Sequence, residues 1–179
     1  MPNWIPARAE HWALLQAFRC MPPLTPRYGD RTKRQVREHW ANQLERNIHK
    51  IHKLPVRPPE HLLIALNVTP LRINALAWFE MKIKAGEPDA VYVQIGALAV
   101  HAQMQRNHLG AEGLELIKQT AAEWARAKSS RINLMRLEAD VHAKNNPCIS
   151  LISGAGWTAL GKARSDGYQP WGAVYRVGA

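Results

Sequence analysis

The sequence predicts an α/β fold with a mixed, mostly antiparallel sheet flanked by about four helices, and three observations carry that prediction. Apolar and charged residues alternate strictly over residues 79–84, the period of a half-buried strand. An uncharged run over residues 90–100 is followed by a helix-period stripe and then by a second alternating run, the order of a strand–helix–strand crossover. The chain has 179 residues, 46% of them hydrophobic, which suits one packed core better than two. A single domain over residues 1–179 is expected.

Residues 9–20 read as a short helix carrying Trp12, Leu15 and Phe18, closed by Pro22, Pro23 and Pro26, which cannot continue it. Val36, Trp40, Leu44, Ile48 and Ile51 recur every three or four positions and predict a second helix with one apolar stripe. Pro55, Pro58 and Pro59 end helical structure. The apolar run 62–66, the turn-like stretch 67–70 and the alternating run 79–84 predict two neighbouring antiparallel strands. After the turn at Gly86, Glu87, Pro88 and Asp89, residues 90–100 have the β-branched, uncharged character of a central strand.

The period then changes. Leu114, Ile117, Ala121 and Trp124 mark a third helix, and Met135, Leu137, Ala139 and Val141 alternate with Arg136, Glu138 and Asp140 in a strand. A crossover of this kind predicts that the strands at 90–100 and 132–141 are parallel and adjacent or nearly so. A short helix at 145–155 and strands at 157–163 and 171–177 complete the reading. No internal repeat or low-complexity tract is present in the sequence.

The formal net charge is +10 and the sequence pI about 10.1, so polyanions are attracted without any one being specified. Half of that excess is local. Arg31, Lys33, Arg34, Arg37, Arg46, Lys50 and Lys53 stand against only Glu38 and Glu45, which reads as a solvated helix face, with a nucleic-acid surface as the alternative. The apolar neighbourhood at 62–81 is interrupted by Asn67, Pro70, Arg72 and Asn74, and Arg8, Glu10 and His11 fall where a signal peptide needs an unbroken apolar stretch. No membrane association and a cytoplasmic location are expected. Cys20 and Cys148 lie far apart without a CxxC spacing, so they read as reduced, buried thiols, with no metal site and no disulfide.

The turn between the first crossover strand and its helix, at Arg106, Asn107, His108, Leu109, Gly110 and Ala111, is a candidate anion site. Unpaired N–H groups at a helix N-terminus favour a phosphate whatever the side chains. A second pattern lies farther on: Asn145-x-x-Cys148-x-x-Leu151-Ile152-x-x-x-Gly156-Trp157. It resembles the N-x-x-A-x-x-L-Y-x-x-x-G-F signature of the GNAT superfamily of N-acetyltransferases, with matching spacing. The loop resembles the same family's Q/R-x-x-G-x-G/A signature, which follows a strand ending in L-x-V, here Leu98-Ala99-Val100 followed by Arg106-x-x-Leu109-x-Ala111.

The resemblance implies a GNAT-like sheet whose parallel strands splay to bind acyl-CoA, and acetyl transfer from acetyl-CoA to a primary amine by direct attack in a ternary complex. It implies that backbone groups of Leu98, Ala99 and Val100 hold the pantetheine arm, that the amides from Asn107 to Ala111 take the pyrophosphate with Arg106 at its edge, and that Asn145 lies near the arm. Two departures accompany it. Leu109 stands where the family has its first loop glycine, and Ile152 stands where many members have a tyrosine that protonates the departing thiolate. Ser153 and water are the substitutes for that acid, and Glu80, His101, Glu138, Asp140 and His142 are the candidates for the base, with Gln94 able only to orient a water.

The acceptor is an amine of open identity, and the basic helix lining one wall would favour an anionic or nucleic-acid-linked one. Three alternatives stay open: a non-catalytic acyl-CoA-binding module, a tRNA-directed acetyltransferase using the basic helix, and a polyanion-binding protein with a vestigial slot. Whether the chain is a monomer or a homodimer is also open. Trp12, Trp40, Trp124 and Trp157 are read as core, while Trp4, Trp78 and Trp171 are unassigned.

Overall fold

The computed structural model describes residues 3–21, 39–51 and 60–178. The proline breakers predicted at 22–26 and 55–59, Val36, and the basic residues Arg31, Lys33, Arg34, Arg37 and Lys53 lie outside the described residues. In chain order the elements are β1 (Asn3–Pro6), α1 (Trp12–Ala17), α2 (His39–Ile51), β2 (Glu60–Val68), β3 (Leu71–Lys84), β4 (Glu87–Val100), α3 (Leu109–Lys128), β5 (Leu134–His142), α4 (Asn146–Gly154), β6 (Thr158–Ala159) and β7 (Tyr168–Arg176). Single 3-10 turns at Ala9–His11 and Ala102–Met104 precede α1 and follow β4.

Among the described residues the strands form one mixed sheet of seven, in the order β1-β2-β3-β4-β5-β7-β6. β4 and β5 are parallel, as the crossover through α3 requires, and the other neighbouring pairs are antiparallel. Three elements differ most from the sequence reading, one of them the strand expected at 157–163, of which only Thr158–Ala159 pairs, as β6. β1 was not predicted: its four residues pair with Leu63–Leu66 of β2 and lack the length that makes alternation visible. β3 begins at Leu71, eight residues before the alternating run, because residues 73–77 are buried on both faces and show no polar period.

Each face of the sheet carries a helix pair. Leu114, Ile117, Ala121 and Ala125 of α3 and Ile152 of α4 pack on Leu63, Phe79, Met81, Val91, Val93, Ile95 and Leu137. On the opposite face Leu15 of α1 and the neighbouring Phe18 join Ile48 and Ile51 of α2 over Leu62, Ile64, Ile73, Leu76, Ala97 and Ala99.

The two lists contain a break in period. Val91, Val93 and Ile95 face α3, yet Ala97 and Ala99, two and four residues on, face α1 and α2. A strand with period two cannot do this unless one residue is extra. That residue is Gly96: Ile95 pairs with Phe79 and Ala97 with Trp78, so Gly96 forms a bulge with no opposite number on β3.

Candidate active site

The bulge opens the sheet. β4 and β5 pair from Ala90↔Leu134 to Ile95↔Ala139 and no farther. Beyond that point β4 continues beside β3 as far as Ala75↔Val100, and β5 continues beside β7 as far as His142↔Tyr168. Their outer edges stay satisfied while the inner edges at 96–100 and 140–142 separate, leaving backbone donors and acceptors facing a gap. A cleft of about 410 Å³ occupies it and reaches both faces of the sheet. Leu114, Cys148, Ile152 and Trp157 border it on the α3 and α4 side, and Trp40, Gln43, Leu44 and Asn47 of α2 border it on the other.

At the wide end of the gap stands the N-terminus of α3. The first intrahelical bond on this turn runs from Glu112 N–H to the His108 carbonyl at 3.0 Å, so the N–H groups of His108, Leu109, Gly110 and Ala111 have no partner inside the helix. Arg106, Asn107 and His108 are exposed, and Arg106 and His108 adopt left-handed φ values of 69° and 59°. Leu109 itself is helical. Its side chain is buried, 3% exposed, beside Ala65 and Ala75, and turns away from the loop surface. Leu109 therefore adds bulk to the core and not to the exposed turn before α3.

Asn145 borders the cleft and caps α4, its Oδ1 accepting from Cys148 N–H at 3.3 Å. Burial pushes the Cys148 thiol up to about 11; burial together with the Glu45 carboxylate pushes Cys20 up to about 12. Both thiols are free and only partly covered, so neither is as fully buried as expected.

Among the base and acid candidates, His142 borders the cleft, as does Asp140, whereas Glu80, His101, Glu138 and Ser153 do not. Glu80 lies opposite Gln94 on β3, with its carboxylate 3.9 Å from Lys82 Nζ. Glu138 contributes its backbone carbonyl, which accepts from Gln94 Nε2 at 3.4 Å. His101 packs edge-on against Phe18 past the end of β4, its Nδ1 accepting from Gln103 N–H, and burial followed by Arg72 holds its pKa below the usual value. Ser153 is exposed on α4 while its neighbour Ile152 is 3% exposed and turned toward the cleft.

His142 sits in an aromatic setting. The Trp40 indole lies nearly parallel to it, with 6.3 Å between centroids and 20° between planes, and Tyr168 meets it edge-on at 5.2 Å. Gly167 holds this arrangement open, since a Cβ there would stand 2.6 Å from His142 Nε2 and its φ is +84°. Arg164 binds Asp140 at 2.8 Å and Asp166 at 3.5 Å, tying β5 to the turn before β7. The Tyr168 N–H and the Arg164 guanidinium hold the Asp166 carboxyl below its ordinary range, and burial followed by the Asp166 and Asp140 charges holds the Tyr168 phenol above its own.

Two expectations need correction. Trp40 is half-buried and forms a wall of the cleft, although it was read as core because it shares a helix face with Leu44. Helix α2 does line the cleft, but through Trp40, Gln43, Leu44 and Asn47; Arg46 and Lys50 are exposed and not among the lining residues. Sequence reasoning also passed over Tyr168, Arg164 and Asp166, which reach the cleft only through the pairing of β7 with β5. Among the described residues no group of three or more His, Cys, Asp or Glu is placed to hold a metal ion, and no helix is long and apolar enough to cross a membrane.

No family model matches the chain, and no curated protein matches it by sequence. Solved structures do. An acetyltransferase of the GNAT family from Staphylococcus aureus Mu50 aligns over 99% of both chains with a TM-score of 0.61 at 10% identity. The PaiA N-acetyltransferase from Thermoplasma acidophilum, solved with coenzyme A, aligns over 98% of this chain and 99% of its own with a TM-score of 0.58 at 12% identity. YncA, a putative acetyltransferase from Salmonella typhimurium solved with acetyl-CoA, aligns over 100% of this chain and 95% of its own with a TM-score of 0.56 at 13% identity. The likeness spans nearly the whole of each chain, so this chain, with its seven-stranded mixed sheet and single parallel pair, has the GNAT acetyltransferase fold.

Proposed function

We propose that the protein transfers an acyl group, acetyl from acetyl-CoA, to a primary amine in a ternary complex. The observation that supports this best is the gap between the unpaired edges of β4 and β5, which holds a cleft with an aromatic, titratable wall. Ala99, Val100 and Arg106–Ala111 are not among the residues lining that cleft, and the N-terminus of α3 lies beside the end of β4, Gly110 next to Val100. The residues present fit an acyl-CoA. The β4 edge at Leu98, Ala99 and Val100 offers hydrogen bonds to an extended amide-bearing arm, as a sheet edge does to a peptide. The amides of His108 through Ala111 suit a pyrophosphate, with Asn107 and Arg106 beside it and Asn145 across the gap. Bound there, an acyl-CoA supplies an activated thioester carbonyl.

The chain's own groups then have distinct tasks. His142 borders the acceptor side. Its Nδ1 accepts from Lys144 N–H at 3.2 Å, so the neutral ring carries its hydrogen on Nε2, and Nδ1 is the nitrogen that takes the proton of the attacking amine, by exchanging that bond. The N–H groups at the β4 bulge face the gap where negative charge develops on the carbonyl oxygen. Ile152 cannot protonate the departing thiolate. Among the described residues the proton donors that border the cleft include the Tyr168 phenol and the Cys148 thiol, both held above their ordinary range first of all by burial, and water is a further one.

Calorimetry with acetyl-CoA tests the binding slot, and release of free thiol in the presence of amines tests turnover. His142→Gln is expected to lower kcat by about a hundredfold or more. Because Ile152 replaces a proton donor, a second reading is a module that binds acyl-CoA without turnover; coenzyme binding with no thiol release for any amine identifies that case.

A further inference from the structure

Among the described residues, the acceptor half of the cleft has a charge opposite to that of the molecule. The chain as a whole carries +10. On the acceptor side the charged residues among the described lining are Asp140, Arg164 and Asp166, and Arg164 is already engaged by both carboxylates. One negative charge is left over. The exposed cations of α2, Arg46 and Lys50, are not among the lining residues. The rest of the wall is aromatic or amide: Trp40 and Tyr168 on either side of His142, with Gln43, Asn47 and Gln94 nearby.

We infer that the acceptor is an amine that carries a second cationic group, and that Trp40, Tyr168 and the excess carboxylate of the Asp140–Arg164–Asp166 triad recognise that second charge. The inference rests on the acyl-transfer reading and deepens it. Aromatic faces attract a cation through their quadrupole, and the surplus carboxylate of the exposed triad adds a solvent-screened attraction beside them. An anionic acceptor meets the reverse. Its only lining cation among the described residues is occupied, so binding would require it to displace a carboxylate from Arg164.

The reaction balances without a further reagent. The amine nitrogen of the acceptor forms a bond to the thioester carbonyl carbon, the C–S bond breaks, one proton leaves the nitrogen by way of His142, and one proton ends on the coenzyme thiol. The second cationic group is unchanged.

Three amines of equal length separate the possibilities: n-butylamine, the diamine that replaces its terminal methyl with an ammonium, and the amino acid that replaces it with a carboxylate. Each is titrated by calorimetry into the full-length protein held with coenzyme A, and each is assayed for thiol release with acetyl-CoA. The diamine is expected to bind at least tenfold tighter than the amino acid, with butylamine between them. Asp140→Asn and Trp40→Leu should each shrink the gap between diamine and butylamine while leaving coenzyme affinity unchanged, which also shows that the variants are folded. Equal binding of the three, or preference for the amino acid, overturns the inference. If coenzyme binds and the diamine is preferred but no thiol appears, acyl transfer fails and the cation subsite stands; if thiol appears without charge preference, the reverse holds.

Discussion

Gly96 lies against the indole of Trp78: a Cβ built on Gly96 would be 3.1 Å from Trp78 Cε3, closer than a side chain tolerates without displacing the ring. The two residues share the irregularity that separates β4 from β5, and the tight contact fixes where the separation starts. Gly96→Val should therefore cost about 1–3 kcal/mol in urea unfolding through overpacking. It should also weaken acetyl-CoA binding beyond what the stability loss explains, because the bulge sets the width of the gap.

Leu109→Gly restores the residue typical of the loop signature and is nevertheless expected to harm the protein. The side chain is 3% exposed beside Ala65 and Ala75, so its removal leaves a cavity under α3. A loss of about 2–5 kcal/mol is expected from the cavity alone. Coenzyme affinity measured on the folded variant should not rise.

Gly167→Ala combines a left-handed φ of +84° with a Cβ placed 2.6 Å from His142 Nε2. The imidazole has to move, and with it the ring contacts to Trp40 and Tyr168. Turnover should fall at least tenfold with the affinity for acetyl-CoA little changed, read as a drop in kcat without a matching rise in the KM for the donor.

Acid should destabilise the fold in a window set by its partly buried imidazoles. His61 stacks on Phe79 at 5.3 Å, and burial holds its pKa below the ordinary 6.5. The unfolded chain therefore takes up the proton first. The associated stability is fully present above 6.5, falls as pH drops below it, and stops falling once the lower folded-state value is passed. Thermal unfolding followed from about pH 7 to about pH 5 should show a shallower decline in His61→Gln than in the parent. Part of the slope should remain, since His101 is shifted in the same direction by burial and Arg72.

Long, strongly periodic elements were legible in the sequence, and their arrangement followed. The uncharged run at 90–100, the stripe from Leu114 to Trp124 and the alternation from Met135 to Val141 locate the parallel pair from sequence alone. What stayed hidden was set by pairing partners. The four residues of β1 have no period of their own and are held by β2. Trp40 and Leu44 have the spacing of core residues, yet a gap opens beneath them only because β4 carries one residue more than its neighbour. Gly96, isolated inside a strand pattern, was the available sign of that bulge. Tyr168, Arg164 and Asp166 gave no local signal, since their position depends on which strand β7 joins.

That choice of partner has a bearing on how the chain is built. β7 is inserted between β5 and β6, so a strand near the end of the described sequence lies in the interior of the sheet. Until it arrives, β5 has an unpaired edge along its whole length, a template for pairing with other chains. The pairing joins residues 26 to 42 apart in sequence, more than the 3 to 25 spanned by β3 with β4 though less than the 44 spanned by β4 with β5, so it closes after the β3–β4 hairpin. Assembly therefore proceeds unevenly across the gap: the β4–α3 wall relies on earlier, more local contacts, whereas the wall carrying His142 and Tyr168 is set only when the last strand docks. Chains halted before that step would have a formed β4–α3 wall beside an unformed β5–β7 wall, and would be the species most in need of chaperone cover.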